Sequence, residues 1–379
     1  MKQIFDTLRY YIIPATTAMG VLGFTLGGSY VWLGFLTYPV LLLFDVLLPK
    51  DFKIRNAIAP LVDLSFYLHT IAMIALYTMF ILSVRNGTNP LNEGWSSTGQ
   101  ILGSILSLAW LSAVPTLPVA HELMHRRHPF PRFIAKVLNT FYGDSNRDIA
   151  HVMTHHIHLD TAEDSDTPFR GQTVYSFCIS ATLGSYRDTV NMEAEILRKM
   201  GQSPWNIRNK VWLHLFLQIS LFTVVLTFAG LPALLVCIVS VFFAKMLVEG
   251  FNYFQHYGLL RVENGPVEKH HAWNHLGTIV RPLGAEITNH INHHLDSYIR
   301  CYDLTPEPKA PQMPSLFLCF MTGLIPPVWF KFIAKPALKE WDNKYASPAE
   351  QKLARDANAK AGWEQWIQEK PETHFVPAE

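Results

Sequence analysis

The chain has 379 residues, of which 49% are hydrophobic and 16% charged, and its formal net charge is +1. No basic surplus exists to neutralise phosphates, so the composition excludes a nucleic-acid partner. The four cysteines, Cys178, Cys237, Cys301 and Cys319, are too dispersed for a disulfide framework or an iron–sulfur motif.

The apolar residues gather in six blocks, at 10–28, 30–48, 61–83, 100–120, 211–229 and 232–248. Each approaches the roughly 20 residues that a membrane-crossing helix needs. The first block is followed almost at once by the second, so both read as mature protein rather than a cleaved signal. The links Gly27-Gly28-Ser29 and Ala229-Gly230-Leu231-Pro232 are short and uncharged, and Arg85 is the only basic residue in the link 84–99. Lys2, Arg9, the stretch Pro49–Arg55, the segment 121–210 and the C-terminal third carry almost all the other basic residues. The positive-inside rule therefore predicts cytoplasmic termini and cytoplasmic segments 121–210 and 249–334. Tyr10, Tyr11, Tyr30, Trp32, Trp95 and Trp212 lie near block ends, as interfacial aromatics do. The patch 314–330 contains Pro326-Pro327 and reads as a re-entrant or interfacial segment. The expected fold is an all-α integral membrane protein, with a membrane-embedded domain over 1–334 and a charged cytoplasmic tail over 335–379.

Histidines carry the chemical signal. They form His121-x₃-His125, His151-x₃-His155-His156 and His290-x₂-His293-His294, with His256 alone in Phe-Gln-His-Tyr-Gly. On a helix, residues four apart lie about 40° from each other around the axis, so the spacing predicts that His121 and His125 share a face. The same holds for His151 with His155 and for His290 with His294. Imidazole suits iron, copper, nickel and zinc. Nine candidate ligands are too many for one such ion, which points to a dinuclear centre. Lone histidines, His69, His214 and His374, read instead as residues held by ordinary hydrogen bonds.

A ligating imidazole usually donates its other N–H to a carboxylate or carbonyl. Candidates for that role stand near the clusters: Glu122, Asp148, Asp160, Asp164, Asp166, Glu249, Glu286 and Asp296, with Glu122 and Asp166 the first choices. His128, His158, His270, His271 and His275 read as outer or surface residues, and the His128-Pro129 step should end a helix. Arg126, Arg127, Arg132 and Lys136 form a basic strip that could dock a partner. A metal transporter is the competing class. It would need polar groups near the bilayer midplane, where the blocks offer little beyond Asp45, Asp63 and His69.

The order of these clusters resembles the integral-membrane non-haem di-iron family, which includes membrane alkane monooxygenases, aromatic methyl-group monooxygenases and fatty-acid desaturases. Asn252–Gly258 resembles the element that supplies a ninth histidine in the alkane-type branch. The runs Asn146–His151, Asp164–Pro168, Arg170–Thr173 and Ile287–His294 are closer to aromatic methyl hydroxylases of the xylene and p-cymene type. This resemblance implies six transmembrane helices under a cytoplasmic, histidine-rich cap. It implies two irons held by His121, His125, His151, His155, His156, His256, His290, His293 and His294, and location in the inner (cytoplasmic) membrane. It further implies O₂-dependent hydroxylation of the methyl group of an apolar aromatic substrate drawn from membrane lipid. Terminal alkane hydroxylation and fatty-acyl desaturation or hydroxylation are the alternatives. The chain has no Gly-x-Gly-x-x-Gly fingerprint and no iron–sulfur cysteine spacing. The family's separate reductase, carrying FAD and a 2Fe-2S cluster and using NADH, would supply the electrons.

Overall fold

The computed structural model describes residues 1–367, so His374 and the end of the tail lie outside it. Among the described residues there is no β-strand, only two isolated bridges, Lys50 with Gly277 and Asn274 with Gln312. The helices that organise the fold are α1 (Ile12–Leu26), α2 (Leu33–Leu47), α3 (Ala59–Arg85), α4 (Thr98–Ala113), α5 (Thr116–Met124), α6 (Pro129–Thr140), α7 (Val174–Lys199), α8 (Val211–His256), α9 (His290–Leu295), α10 (Lys335–Lys344) and α11 (Pro348–Lys360).

Among the described residues four stretches are long and apolar enough to cross a membrane: Gly28–Leu47, Ala59–Arg85, Gly94–Met124 and Val211–His256. Of the six apolar blocks, the first is not among these stretches, and the fifth and sixth lie on either side of a break within the last. Helix α1 has 15 residues, about 22 Å of rise, short of the ~30 Å hydrocarbon core. It is shortened by a 3₁₀ turn at Arg9–Tyr11 and by the left-handed Gly27 and Gly28. The fifth and sixth blocks are the two helical arms of α8, separated at Gly230 (φ 81°) just before Pro232, within the link read in the sequence.

Helix α8 folds back on itself at that glycine. In a straight helix His214 and Lys245 would lie about 46 Å apart. Instead His214 accepts a hydrogen bond from the Ser145 N–H, and the Lys245 ammonium sits 2.5 Å from Asp144. The two ends of α8 therefore meet adjacent residues. Helices α1 and α2 make a similar hairpin, because Arg9 before α1 lies 3.3 Å from Asp51 after α2.

The bundle has two unlike ends. At one, Gly28 N–H donates to Thr88 O, Trp32 to Gly99 O and Asn89 to Ser104. At the other, Asp6, Arg9, Asp51, Arg55, Arg281 and Glu286 form ion pairs, and the histidine-bearing segments begin. Between the ends the interior is aromatic: Phe24 meets Phe80 edge-on at 5.4 Å, and Trp110 lies 4.8 Å from Tyr38 and 5.9 Å from Phe317.

The patch 314–330 forms a helix of only 8 residues, Leu316–Gly323, too short to cross a bilayer. It packs Phe320 on Phe251 and Phe254, at 5.4 and 4.9 Å, beside the C-terminal end of α8. Helices α10 and α11 fold back over the cap. Arg170 makes a bidentate, fully buried pair with Asp342 at 2.6 and 2.7 Å and also donates to Asn358 and Gly258 O.

Candidate metal centre

Four pieces of chain bring the nine histidines together. Helix α5 supplies His121 and, at its C-cap, His125; a helical turn over 147–158 supplies His151, His155 and His156. The last residue of α8 is His256, and α9 carries His290, His293 and His294. The ligand atoms sort into two adjacent groups. His121, His125, His151, His156 and His293 form a group of five, and His155, His256, His290 and His294 a group of four.

One pairing differs from the expectation. His121 shares a group with His125, and His290 with His294, as four-residue spacing predicts. His151 and His155 do not share one, although their rings stack at 5.2 Å. Residues 151–155 form a π-helical turn, which is wound to i→i+5 hydrogen bonds. The wider turn brings His151 beside His156, with Nε2 atoms 3.1 Å apart, and sends His155 to the other group.

The donor atoms meet each other rather than other partners. His151 Nε2 is 2.9 Å from His121 Nε2, His293 Nε2 is 3.2 Å from His156 Nε2, and His290 Nε2 is 2.8 and 2.9 Å from those of His256 and His294. His125 and His155 each bury an Nε2 with no hydrogen-bond partner. Such a cluster of lone pairs is costly when buried, and a cation at the centre of each group would satisfy all of them together. The residues therefore fit a pair of metal ions. Burial favours the neutral, ligating form: it pulls His125 down to about 4 and holds His151, His156, His290, His293 and His294 well below the usual imidazole range.

Among the described residues two carboxylates hydrogen-bond these rings. His155 Nδ1–H donates to Asp164 at 2.8 Å and His256 Nδ1–H to Asp160 at 3.1 Å, while His290 Nδ1–H donates to the Ile287 carbonyl at 3.2 Å. Each bond fixes the tautomer that leaves Nε2 free. At His155 burial works to lower the imidazole, but the Asp164 charge more than offsets it, and Asp164 is held down to about 2. Burial pushes Asp160 up to about 8.

The other acids, Glu122 and Asp166 included, have partners other than the nine rings. Glu122 pairs with Arg126 at 2.7 Å and accepts from Cys301 N–H; Asp148 pairs with Lys136 at 2.7 Å. Asp166 accepts from Asn252 at 3.0 Å, Glu249 pairs with Lys245 at 2.5 Å, and Glu286 pairs with Arg281 at 2.6 Å. Asp296 caps a turn through Tyr298 N–H. Neighbours in a helix diverge by about 100°, so adjacency to His121 aims Glu122 away from the metal. The basic strip is also largely neutralised: Arg126 and Lys136 are consumed by these pairs and Asp63, and Arg127 and Arg132 are what remains of it. Arg147 and Lys245 went unread in the sequence, yet they lie buried among Asp144, Glu249 and Asp166. Only their position inside otherwise apolar or acidic runs could have signalled them. His128 caps α6, His158 pairs with Glu163, and His270 and His271 both meet Glu350.

Residues 97–307 match the fatty acid desaturase family. The chain is 59% identical to the hydroxylase component of a xylene/toluene monooxygenase from Pseudomonas putida, over 96% of this chain and 97% of that protein. It is 26% identical to an alkane 1-monooxygenase of Ectopseudomonas oleovorans, over 86% of this chain and 84% of the other. A second such enzyme, from Alcanivorax borkumensis, is 26% identical over 86% and 83%. The chain belongs to the integral-membrane non-haem di-iron monooxygenase family. It is thus an oxidoreductase, and its histidine clusters are compatible with non-haem iron.

Proposed function

We propose that this enzyme hydroxylates the methyl group of alkyl-substituted aromatic hydrocarbons, of the xylene, toluene or p-cymene type, to benzylic alcohols. The observation that carries this reading is the 59% identity, across nearly the whole chain, to a xylene/toluene monooxygenase hydroxylase component. The nine histidines would hold two irons, the group of five one and the group of four the other. When bound, the irons supply O₂ activation, one oxygen atom entering the C–H bond and the other leaving as water. The chain's own part is to hold Nε2 lone pairs inward, through Asp164, Asp160 and the Ile287 carbonyl, and to keep bulk water from a largely buried site.

Six spans make up the membrane domain in this reading. Helix α1 with its flanking turn is one, and the two halves of α8 on either side of Gly230 are two others. The metal centre and both termini face the cytoplasm of the inner membrane, at the end of the bundle where basic residues concentrate. Apolar substrates partition into lipid and reach such a site laterally. A benzylic C–H bond is weaker than a primary alkyl one, so positioning the methyl group is sufficient selectivity. The electrons come from a separate NADH-dependent reductase with FAD and a 2Fe-2S cluster, in keeping with a relative that is itself named as one component.

The test is co-expression with a compatible reductase and competition between p-xylene and octane in one vessel. Preferential 4-methylbenzyl alcohol is expected, and no turnover with NADH when the reductase is omitted. Preferential 1-octanol would move the chain to the alkane branch, and a ring-hydroxylated phenol would contradict the positioning argument.

A further inference from the structure

His69 lies in the middle of α3 and is fully buried, with the hydroxyls of Thr17 and Thr116 on its two ring nitrogens. An ionisable side chain inside a membrane bundle calls for a reason. Its surroundings supply one. The helical path from α4 to α5 continues through Val114 and Pro115, both with right-handed helical backbone. Proline has no N–H. The Leu111 carbonyl, which residue 115 would otherwise satisfy, is left without its backbone donor. Thr116 replaces it: its hydroxyl donates to Leu111 O at 2.7 Å.

That bond fixes the direction of the next two. With its proton committed, Thr116 Oγ1 accepts from His69 Nε2–H at 3.1 Å. The other ring nitrogen, Nδ1, then carries the lone pair and accepts from the Thr17 hydroxyl of α1, also at 3.1 Å. All three side chains are buried to 0% exposure. The chain Thr17, His69, Thr116, Leu111 therefore has one donor and one acceptor at every link and needs a neutral imidazole. It joins α1 and α3 to α4 and α5 at the bend from which α5 departs, and His121 lies five residues beyond Thr116.

We infer that His69 is a positioning residue for the oxidation: by satisfying the Pro115 bend through Thr116 it fixes the direction of α5, and so the placement of His121 and His125. The inference rests on the metal-centre reading above. It concerns a residue that touches neither metal nor substrate.

The experiment compares His69→Phe with His69→Gln in the full chain, assayed with reductase and by Mössbauer spectroscopy of the bound iron. Phe fills the space without hydrogen bonds, whereas Gln retains a donor and an acceptor. His69→Phe should lower kcat on the order of 10- to 100-fold, leave KM for p-xylene within about twofold and broaden the iron spectrum; His69→Gln should recover most of the loss. A wild-type kcat and spectrum in His69→Phe would overturn the inference. A second arm is independent of iron and substrate: thermal unfolding of metal-free Thr116→Val, Pro115→Ala and the double variant. Thr116→Val should lower Tm by about 2–4 °C, and Pro115→Ala, which restores an N–H for Leu111, should cancel the part of that loss due to the Leu111 carbonyl, leaving the part due to His69 Nε2–H. Additive shifts would overturn the bend argument. Coupled shifts in a protein that oxidises no hydrocarbon would instead defeat the functional reading and leave the bend argument standing.

Discussion

The two histidine groups are built differently, although they share one cap. In the group of four every ring is buried, two rings donate to carboxylates, and a third donates to a backbone carbonyl. In the group of five, His125 and His156 are half-buried, and among the described residues no carboxylate lies within 4 Å of a ring nitrogen. The C-terminal helices accentuate this contrast. Arg170, clamped by Asp342 and Asn358, donates to Gly258 O two residues after His256, which ties the tail to the four-histidine side. Ile157, which follows His156 of the five-histidine group, is exposed. One half of the centre is thus set by hydrogen-bonded charges under a clamp. The other is set by the direction of α5 and by the π-helical turn.

The largest effect should come from removing a ligand on either side. His155→Ala and His293→Ala should each lower activity by about 100-fold or more and reduce iron per chain, since a site depends on its whole ligand set. His214→Ala should leave iron content unchanged, because that ring only accepts from Ser145 N–H. Iron per chain by mass spectrometry, read beside activity, is the measurement. Full iron and activity in His293→Ala would remove the five-histidine group from the centre.

The contrast itself is tested one step out. Asp164→Asn should weaken iron retention by about 10–100-fold, the usual cost of losing a carboxylate behind a ligating imidazole. Glu122→Gln should change it within about twofold, because Glu122 balances Arg126 and Cys301 N–H rather than a ring. Competition with a chelator gives both values. Equal losses in the two variants would erase the distinction between the groups.

Much of this was legible in the sequence. Spacing by four paired His121 with His125 and His290 with His294, and six apolar blocks anticipated a helical membrane protein. What escaped was whatever depends on where a chain segment turns. The π-helical winding of 151–155 has no sequence signature, so the partner of His151 was misassigned. Glu122 and Asp166 stood beside the clusters in sequence, but α5 directs Glu122 to Arg126, and Asp166 is taken by Asn252. Asp160 and Asp164 reach the rings because their loop doubles back, with Asp160 in a left-handed conformation at φ 59° and bonded through its N–H to Thr167. Gly230, by contrast, stands in the uncharged link between the fifth and sixth blocks, and α8 breaks and reverses there.

The smallest effect concerns the clamp over the four-histidine side. Glu350 caps α11 through Ser347 and, from the same carboxylate, accepts from His271 Nε2–H at 2.7 Å and His270 Nε2–H at 3.1 Å. His271 Nδ1 accepts from the Glu268 N–H, which leaves its proton on Nε2 and makes this cluster a hydrogen-bonded latch rather than a metal site. Burial works to raise the Glu350 carboxyl, but its bonds to His270, His271 and Ser347 more than offset that and hold it well below the usual range. A carboxylate depressed in the folded state stabilises fully above its unfolded value, about 4.3, and loses that contribution as pH falls toward its folded value. Glu350→Gln keeps the cap, since glutamine also serves there, and removes the charge together with one of the two acceptor oxygens that His270 and His271 share. It should cost about 2 kcal/mol at neutral pH, seen as a lower Tm in detergent. The gap to the unsubstituted protein should stay constant from pH 8 to about 5 and narrow below about 4.3. Because the latch acts through the tail and not through a ligand, iron content should not change. Loss of iron in Glu350→Gln would show that the clamp reaches the metal centre, and a gap independent of pH would show that the charge is not what holds it.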